Sequence, residues 1–281
     1  MSDYRFQIVN VFADSALSGN PLAVFEDARG LDTTTMQALA LQFNLSETTF
    51  IFPSDTAIAH VRIFTPEFEM PFAGHPTLGT AHVLRGLRNS GDAVTLQMHV
   101  GIVPVTAVGD HWTLQSAQAP RVTEPTATRA QIASAIGLDA DAIVADPLWI
   151  DTGSNQLVIP LRDAAAVHAV EIDAVLLRRD CYNGQRAMAY VFAKTGADTA
   201  LVRFFFPQGA AFIEDPGTGS ACANLGGYLV ATKHTLPLSW TLSQGERTGR
   251  PCTLKLGVDA DKNIFVGGRV IVLGSGTISL P

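Results

Sequence analysis

The sequence predicts an α+β fold made of two related halves, and four observations support this prediction. A chain of 281 residues is long enough for about two domains of roughly 150 residues each. Short apolar, strand-like runs occur throughout the chain and alternate with a few helical segments. Two segments of the first half recur about half a chain length later. A composition of 47% hydrophobic and 16% charged residues provides ample core and argues against disorder.

The internal repeat is the strongest of these observations. Two segments recur in the second half with similar residue types, Arg62–Pro66 as Arg203–Pro207 at an offset of 141 and His75–Ala81 as Asp215–Ala221 at an offset of 140. Each half is then expected to contain a strand, a loop rich in Gly and Pro, and a helix beginning at Gly79 or Gly219. Chance similarity is the alternative, but two offsets that agree to within one residue favour a duplication. A repeat this long indicates two related domains rather than a solenoid, whose units are roughly 20–50 residues long.

The remaining elements follow from hydrophobic periodicity and turn residues. Strands are predicted at Tyr4–Phe12, Pro21–Phe25, Thr48–Phe52, Ala57–Phe64, Gln156–Pro160, Met188–Phe192 and Leu201–Phe206. The helical spacing of Met36, Leu39, Ala40 and Phe43 predicts a helix that Asp32 or Thr33 caps. Further helical segments are predicted near Thr128–Ile136 and Asp163–Leu177. A polar, proline-containing stretch follows Pro120, and we place the boundary between domains 1–120 and 121–281 there.

Charge and composition exclude several classes of function. The net charge is −7 and no basic run is present, so nucleic acid is a poor candidate partner. No apolar stretch reaches the ~18–20 residues of a membrane span, and no secretory leader is visible at the N-terminus. The three cysteines, Cys181, Cys222 and Cys252, are odd in number and widely spaced. This pattern is typical of a reducing compartment, so we expect a cytoplasmic protein without a disulfide framework or a paired-cysteine metal site.

Several motifs of known chemistry are absent from the sequence. The glycines at Gly217 and Gly219 lack the third glycine of a dinucleotide-binding loop, because position 222 is a cysteine. No Walker-type phosphate loop, zinc-ligand spacing or α/β-hydrolase nucleophile motif occurs, so we expect no metal and no cofactor. Cys222 is a candidate nucleophile, although a buried packing role is commoner. Residues 1–180 contain no cysteine, which excludes a racemase with one thiol from each half.

The predicted helix starts suggest an anion site. The N-terminus of a helix offers unpaired N–H groups and a positive dipole end, which attract carboxylates and developing oxyanions. Two related halves would place different ionisable groups, His75 and Asp215, at equivalent positions. The alternatives are structural: His75 as a turn residue, and Asp215 or Ser220 as a helix cap. Glu47 lies between a helix and a strand, where a solvated carboxylate is the ordinary outcome, and the pattern alone does not single it out.

At this point the sequence resembles a known family. The motifs that carry the resemblance are Gly19–Phe25, Asn44–Phe50, Arg62–Pro66, Pro71–Pro76, Glu214–Ala221 and Gln244–Pro251. Together they are similar to the motifs of the PhzF (phenazine biosynthesis) family, and they occur in the order of that family. Because they run from residue 19 to residue 251, the resemblance covers nearly the whole chain. The middle segment, residues 147–185, carries no motif that we can assign.

The resemblance implies an architecture. It implies a diaminopimelate-epimerase-like fold with two pseudo-symmetric domains, each a β-barrel-like sheet around a central helix. The active site of such a fold lies in the cleft between the domains, and the C-terminal strand, at about 268–281, returns to the first domain. The resemblance also implies a homodimer.

The resemblance further implies a reaction and its residues. The phenazine-pathway member isomerises dihydro-3-hydroxyanthranilate without a cofactor, by moving a proton between carbons of the substrate. Matched motif by motif, the catalytic glutamate is Glu47, the histidine His75 and the aspartate Asp215. The residues expected to bind the substrate and its carboxylate are Ser46, Gly74, Gly219 and Ser220.

Three functions stay open after this comparison of motifs. The first is a cofactor-independent isomerase of the PhzF type that acts on a small carboxylate-bearing metabolite through acid/base catalysis by Glu47. The second is an epimerase or racemase of an amino-acid-like substrate, with Glu47 and Asp215 on opposite faces. The third is a non-catalytic protein that binds a small anion, which the presence of Glu47, His75 and Asp215 disfavours. The motifs do not settle the substrate or the pathway.

Overall fold

A computed structural model describes residues 1–116 and 118–281 of the chain. It forms two compact units: unit 1 comprises Met1–Gln115 and Gly267–Pro281, and unit 2 comprises Ser116–Val266. Both units combine strands with helices, which confirms the predicted α+β class. Among the described residues, no helix is long and apolar enough to cross a membrane.

Unit 1 contains eight complete strands and two helices. The strands are β1 (Ser2–Val11), β2 (Asn20–Phe25), β3 (Glu47–Phe52), β4 (Ala59–Phe64), β5 (Glu69–Met70), β6 (Ala93–Met98), β7 (Gly101–Val108) and β8 (His111–Gln115). The helices are α1 (Thr33–Phe43) and α2 (Gly74–Arg88). From Gly267 onward, the final strand of the chain also belongs to this unit.

The strands of unit 1 surround α2. Strand β2 pairs antiparallel with β1 and parallel with β3, β3 pairs antiparallel with β4, and β4 pairs parallel with β6. Helix α2 contacts β1, β2, β3, β6, β7 and β8, which buries most of its surface. At Gly79 a Cβ would lie only 2.6 Å from Leu22 Cδ2, so glycine permits the close approach of helix and strand. Helix α1 packs outside, against a cluster that includes Phe25, Phe50 and Phe64.

Unit 2 contains the remaining elements of the chain. Its strands are β9 (Arg121–Thr123), β10 (Leu148–Asp151), β11 (Asn155–Pro160), β12 (Ala189–Lys194), β13 (Thr199–Gln208), β14 (Ala211–Asp215), β15 (Leu238–Gln244), β16 (Cys252–Val258) and the start of β17 (Ile264–Leu280). Its helices are α3 (Arg129–Ala135), α4 (Ala164–Ala169), α5 (Ala174–Asp180) and α6 (Gly219–Ala231).

Unit 2 repeats the strand pairing of unit 1. Strand β11 pairs antiparallel with β10 and parallel with β12, β12 pairs antiparallel with β13, and β13 pairs parallel with β15. Helix α6 contacts β9, β10, β11 and β16 of the same unit, in the manner of α2 in unit 1. Two consecutive units with the same order of parallel and antiparallel pairs are the pattern that a duplication leaves.

The register of the repeat differs from the one that the sequence suggested. The ion pair Arg62–Glu69 spans seven residues and its counterpart Arg203–Glu214 spans eleven, so the hairpin of unit 2 is four residues longer. Beyond the hairpin the offset is therefore 145, and the start of α2 at Gly74 corresponds to the start of α6 at Gly219. The predicted start of the first central helix at Gly79 is wrong by five residues, whereas the start at Gly219 is confirmed.

The outer helices agree with the sequence in part. Asp32 caps α1 by accepting the N–H of Thr35, and Thr128 caps α3 by accepting the N–H of Gln131. The single helical segment predicted over Asp163–Leu177 is wrong, because the chain forms two helices there, α4 and α5. A second helix start is possible because Asp173 caps α5, which the apolar periodicity does not reveal.

Candidate active site

In unit 1, the candidate catalytic residues Glu47 and His75 are in contact. Glu47 is the first residue of β3 and His75 the second residue of α2, and Nε2 of His75 lies 3.2 Å from Oε2 of Glu47. Their side chains are only 15% and 6% exposed, so water has little access to the pair. The predicted solvated loop position of Glu47 is wrong, because the residue begins a strand and is largely buried.

The protonation state of His75 follows from its surroundings. Burial lowers the pKa of the imidazole to about 3, so the ring is neutral at physiological pH. The ring also bonds to the backbone of Pro21, whose only polar backbone group is a carbonyl, and the imidazole therefore donates this bond. A neutral imidazole has one N–H, and Nε2, which faces Glu47, then carries the lone pair. This arrangement suits a carboxyl group of Glu47 that gives and takes a proton.

The start of α2 lies beside this pair. Ala73 precedes the helix, and no side chain in the described parts of the chain caps it. The leading N–H groups, including that of Gly74, have no partner within the helix, as at every helix start. Ser46 directly precedes Glu47 and is half-buried. The structure thus brings four of the predicted site residues together in unit 1: Ser46, Glu47, Gly74 and His75.

In unit 2, Asp215 lies at the end of β14, three residues before the helix boundary. The hydroxyl of Thr218 donates a short hydrogen bond to Oδ2 of Asp215. The Gln244 side chain, 1% exposed, donates from Nε2 to the Asp215 carbonyl and to Thr218 Oγ1, at 2.9 Å each. Its Oε1 accepts the N–H of Thr218 at 3.2 Å. These hydrogen bonds hold the Asp215 carboxylate next to the N-terminus of α6.

Ser220, the second residue of α6, is held by a buried amide network. Gln156 Nε2 donates to Ser220 Oγ at 3.0 Å, and Asn224 Nδ2 donates to Gln156 Oε1 at 2.7 Å. The backbone N–H and the hydroxyl of Thr152 both donate to Asn224 Oδ1. Because its oxygen accepts from Gln156, the Ser220 hydroxyl has its own proton to give to another acceptor.

The starts of the α-helices divide into two groups. Four helices, α1, α3, α4 and α5, have a side-chain cap, from Asp32, Thr128, Asp163 and Asp173 respectively. The central helices α2 and α6 have no side-chain cap from any residue in the described ranges. The alternative interpretation of Asp215 or Ser220 as the cap of α6 is therefore wrong. The two helices that begin at the predicted site residues keep their leading N–H groups for another partner.

The corrected register also changes which residues are equivalent. Strand pairing aligns Ile63 and Met70 with Phe204 and Asp215, so the counterpart of Asp215 is Met70. The helix starts align His75 with Ser220. The expectation that His75 and Asp215 occupy equivalent positions is wrong, because it rested on the offset of 140. By the pairing of β3 and β12, Glu47 corresponds to Met188.

The residues that support the candidate site residues were not predicted from the sequence. Thr218 and Gln244 bond to Asp215, Gln156 bonds to Ser220, and Asn224 bonds to Gln156. All four side chains belong to residues that are at least 92% buried. Thr218 and Gln244 lay within motifs that carried the family resemblance, which was the available signal. Gln156 and Asn224 gave none, since their partners are far away in the sequence. Cys222 is fully buried, and burial raises the pKa of its thiol, so it packs rather than reacts.

The described residues were compared with the requirements of a metal site. Within residues 1–116 and 118–281, no group of three or more His, Cys, Asp or Glu side chains is close enough together to hold a metal ion. The pairs described above consist instead of a carboxyl group with an imidazole or a hydroxyl. Such pairs can move a proton or hold an anion.

Comparison with known proteins places these residues in a family context. The family model of phenazine biosynthesis-like proteins (PhzC-PhzF) matches residues 9–279. An uncharacterized isomerase of Pasteurella multocida is 39% identical over 285 residues, with 100% of this chain and 96% of the relative covered. A trans-2,3-dihydro-3-hydroxyanthranilate isomerase of Pseudomonas aeruginosa is 33% identical over 255 residues, with 88% of each chain covered.

Solved structures show the same fold. The crystal structure of a Bacillus anthracis phenazine biosynthesis protein of the PhzF family has a TM-score of 0.88 at 22% identity, with both chains fully covered. A hydroxyproline epimerase from Agrobacterium vitis has a TM-score of 0.66 at 12% identity, covering 99% of this chain and 91% of that chain. At these identities the similarity concerns the fold alone.

Proposed function

The chain belongs to the PhzF family and is an isomerase of that family, and we propose that it moves a proton within a small carboxylate-bearing metabolite through acid/base catalysis by Glu47. The observation that carries the proposal is the contact between Glu47 Oε2 and the lone-pair side of a neutral, buried imidazole, at 3.2 Å.

Glu47 serves as the acid and base in this proposal. The carboxyl group takes a proton from one carbon of the substrate and returns it to another carbon on the same face. Carboxylates placed next to the reacting atom in a water-poor site typically contribute about 10²–10⁴-fold to the rate. Nε2 of His75 accepts a hydrogen bond from the carboxyl group when Glu47 is protonated, and the bond of the ring to the Pro21 carbonyl fixes the tautomer.

The uncapped helix starts hold the negative charge of the substrate. The N–H groups at the starts of α2 and α6, near Gly74 and Gly219, suit a carboxylate or a developing enolate. The Ser220 hydroxyl donates to the anion at the start of α6, because Gln156 already donates a hydrogen bond to its oxygen. Ser46, which adjoins Glu47, is assigned to substrate binding.

Asp215 is the second ionisable group of the proposed reaction. Thr218 donates a hydrogen bond to its carboxylate, which assists the movement of the proton in the proposed reaction. The roles of Glu47, His75 and Asp215 come from the family resemblance, and the contacts on each residue support them.

The name of one relative supports the proposed substrate class. The Pseudomonas aeruginosa relative is named for trans-2,3-dihydro-3-hydroxyanthranilate, a cyclic amino acid with a carboxylate beside the double-bond system. We propose that the substrate of this chain also has a carboxylate and an acidic C–H bond next to it. The proposal does not assign the chain to a phenazine pathway. A homodimer is part of the proposal, and light scattering on the purified protein measures it.

The test follows both double-bond movement and stereochemistry. Purified protein is incubated with trans-2,3-dihydro-3-hydroxyanthranilate and, separately, with the proline and hydroxyproline isomers. ¹H NMR records double-bond position, and chiral chromatography records the configuration of the proline compounds. We expect migration of a double bond in the dihydro-hydroxyanthranilate and no inversion of the proline compounds.

Each other outcome has a defined meaning. Inversion at one carbon without double-bond movement would replace the isomerase by an epimerase that uses Glu47 and Asp215. Folded protein that turns over neither class, but binds 3-hydroxyanthranilate, would leave a non-catalytic anion-binding protein. Folded protein that does neither would remove the carboxylate class altogether.

A further inference from the structure

The segment Gln244–Pro251 carried part of the family resemblance, yet the proposed function leaves it without a role. Its first residue, Gln244, is 1% exposed and makes three hydrogen bonds to the turn that connects β14 to α6. Two of these bonds are to backbone groups, the N–H of Thr218 and the carbonyl of Asp215. A buried amide with this many bonds to one turn holds that turn in a single conformation.

These bonds fix the orientation of the amide. The atom that accepts a backbone N–H must be Oε1, and the atom that donates to a backbone carbonyl must be Nε2. The remaining N–H of Nε2 points at Thr218 Oγ1. Because this oxygen accepts a bond from Gln244, the Thr218 hydroxyl directs its own proton to Asp215.

The same chain shows what Thr218 would otherwise do. Thr128, at the same position before α3, turns its hydroxyl to the helix and accepts the N–H of Gln131. Asp173 caps α5 with a backbone ψ of 107°, close to the 98° of Thr218, so the backbone angle does not prevent capping. Thr218 differs from these two capping residues because its hydroxyl oxygen accepts a hydrogen bond from Gln244.

A second contact anchors the segment. Gly245 has a φ of +84°, and a Cβ there would overlap the carbonyls of Pro216 and Arg250. The loop after Gln244 therefore closes on itself, through a bond from the Arg250 N–H to the Gly245 carbonyl, while lying against Pro216. Backbone packing thus reinforces the contact of Gln244 with the turn.

We propose that Gln244 is a positioning residue that turns the Thr218 hydroxyl away from α6 and onto Asp215. One amide then has two effects: it keeps the leading N–H groups of α6 available for the substrate anion, and it orients the Asp215 carboxylate. This inference deepens the proposed function and rests on it for the identity of the anion.

The first measurement needs no ligand. Amide hydrogen exchange of Gly219, Ser220 and Ala221 is compared in the wild type, Gln244→Leu, Thr218→Val and the double variant. In Gln244→Leu the freed hydroxyl caps α6, and we expect at least one of these amides to exchange about fivefold more slowly, the effect of one ordinary hydrogen bond. The double variant has no hydroxyl to form the cap, so its exchange returns to the wild-type rate.

The second measurement uses 3-hydroxyanthranilate as a carboxylate probe. We expect Gln244→Leu to weaken its binding about tenfold, because the new cap competes with the anion. Thr218→Val binds the probe within about twofold of the wild type, and the double variant regains most of the affinity lost in Gln244→Leu. Recovery of binding by a second substitution is not expected if Gln244 serves only to stabilise the fold.

The third measurement is turnover, with a substrate that the test of the proposed function has identified. Thr218→Val is expected to lower kcat at least about tenfold with little change in KM, since Asp215 loses its hydroxyl partner. Thr218→Ser keeps a hydroxyl and is expected to match the wild type in all three measurements. Thermal melts of every variant establish that it is folded, and Gln244→Met replaces Gln244→Leu if that variant does not fold.

Several results would overturn the inference. A double variant that binds the probe more weakly than Gln244→Leu, or unchanged exchange in Gln244→Leu, contradicts the diverted cap. So does a Thr218→Ser variant that behaves as Thr218→Val. If both Gln244 variants unfold, a Thr218→Val variant that loses probe affinity and kcat together would reject it. Failure of the wild type to bind the probe would count against the proposed carboxylate substrate, while the exchange data would still decide this inference.

Discussion

Strand β3 of unit 1 begins with Glu47, and the same position beside β12 of unit 2 holds Met188. At the start of the central helix, unit 1 has His75 and unit 2 has Ser220. At the end of the strand before that helix, unit 1 has Met70 and unit 2 has Asp215. Each unit therefore has one carboxylate near a helix start, but from a different strand. The two units share their strand pairing and central helix, whereas their candidate catalytic groups occupy different positions.

Other positions did not diverge. Arg62 pairs with Glu69 and stacks on Phe64, while Arg203 pairs with Glu214 and stacks on Phe205. These pairs hold the hairpins that lead to the two helix starts. Residues that maintain the fold are thus the same in both units. Residues that are proposed to act in catalysis differ between them.

Among the positions that differ between the two units and have a matched control, the largest effect is expected at Asp215. Replacing it by Asn removes the charge while keeping the shape, and we expect kcat to fall about 10²–10⁴-fold, the range for loss of an acid/base group. The matched control is Met70→Leu at the equivalent position of unit 1, which is expected to stay within about threefold. Steady-state kinetics measure both, and similar losses in the two variants would reject the division of roles between the units.

The two arginines are expected to differ in their effect on stability. Arg203 is 8% exposed and also donates to the carbonyls of Val167 and Val170, so Arg203→Met leaves Glu214 buried without its cation. We expect a loss of about 3–5 kcal/mol in the free energy of unfolding. The Arg62–Glu69 pair is 20% exposed on each side, and Arg62→Met is expected to cost roughly 1 kcal/mol. Urea unfolding distinguishes them, and equal losses would contradict the difference in burial.

His75 is expected to make the stability of the protein depend on pH. Burial lowers its pKa from 6.5 to about 3, so the unfolded chain takes up a proton that the folded chain excludes. The stability from this group is complete above pH 6.5 and is lost as pH falls toward 3, with a slope of about 1.4 kcal/mol per pH unit.

The variant His75→Gln is therefore expected to show a shallower pH dependence than the wild type. Ser220→Ala, at the equivalent position of unit 2, removes no titratable group and keeps the wild-type slope. Urea unfolding between pH 4.5 and 7.5 compares them. A His75→Gln variant with the slope of the wild type would show that the imidazole is not held neutral in the folded state.

The smallest effect is expected at the start of α2. Ala73→Ser gives this helix a capping side chain, which stabilises it by about 0.5–1 kcal/mol, and the new cap competes with a bound anion. We expect a higher melting temperature together with about fivefold weaker binding of 3-hydroxyanthranilate. The control is Thr128→Val, which removes an existing cap from α3 and lowers stability without changing binding. Tighter binding by Ala73→Ser would contradict the role of this helix start.

The sequence predicted the parts of the fold that leave local signals. Helix α1 and its cap at Asp32 follow from apolar spacing and one side chain, and α6 begins where predicted, at Gly219. The start of α2 was predicted at the wrong residue because the hairpin of unit 2 is four residues longer. Similar residue types in the two halves therefore matched at an offset of 140 instead of 145. Hairpin length is set by strand pairing, which the repeat in the sequence does not reveal.

The site was less accessible from the sequence. Glu47 has no local feature that separates it from other carboxylates, and only the family resemblance selected it. Gln156 and Asn224 are 68 residues apart and meet through the packing of α6 on β11, so no spacing rule identifies them. The register correction, which pairs His75 with Ser220, likewise required strand pairing. Roles that depend on long-range contacts thus needed the three-dimensional structure.

The central claim is that Glu47 moves the proton, and solvent deuterium tests it most directly. Wild type, Glu47→Gln and the control Glu26→Gln are incubated in D₂O with trans-2,3-dihydro-3-hydroxyanthranilate, and NMR records deuterium in substrate and product together with double-bond position. The account predicts turnover by the wild type and the control, with deuterium in the product from those turnovers in which the proton on Glu47 exchanges with solvent. It predicts at least about a thousandfold loss of turnover for a folded Glu47→Gln. A Glu47→Gln variant as active as the wild type would contradict it.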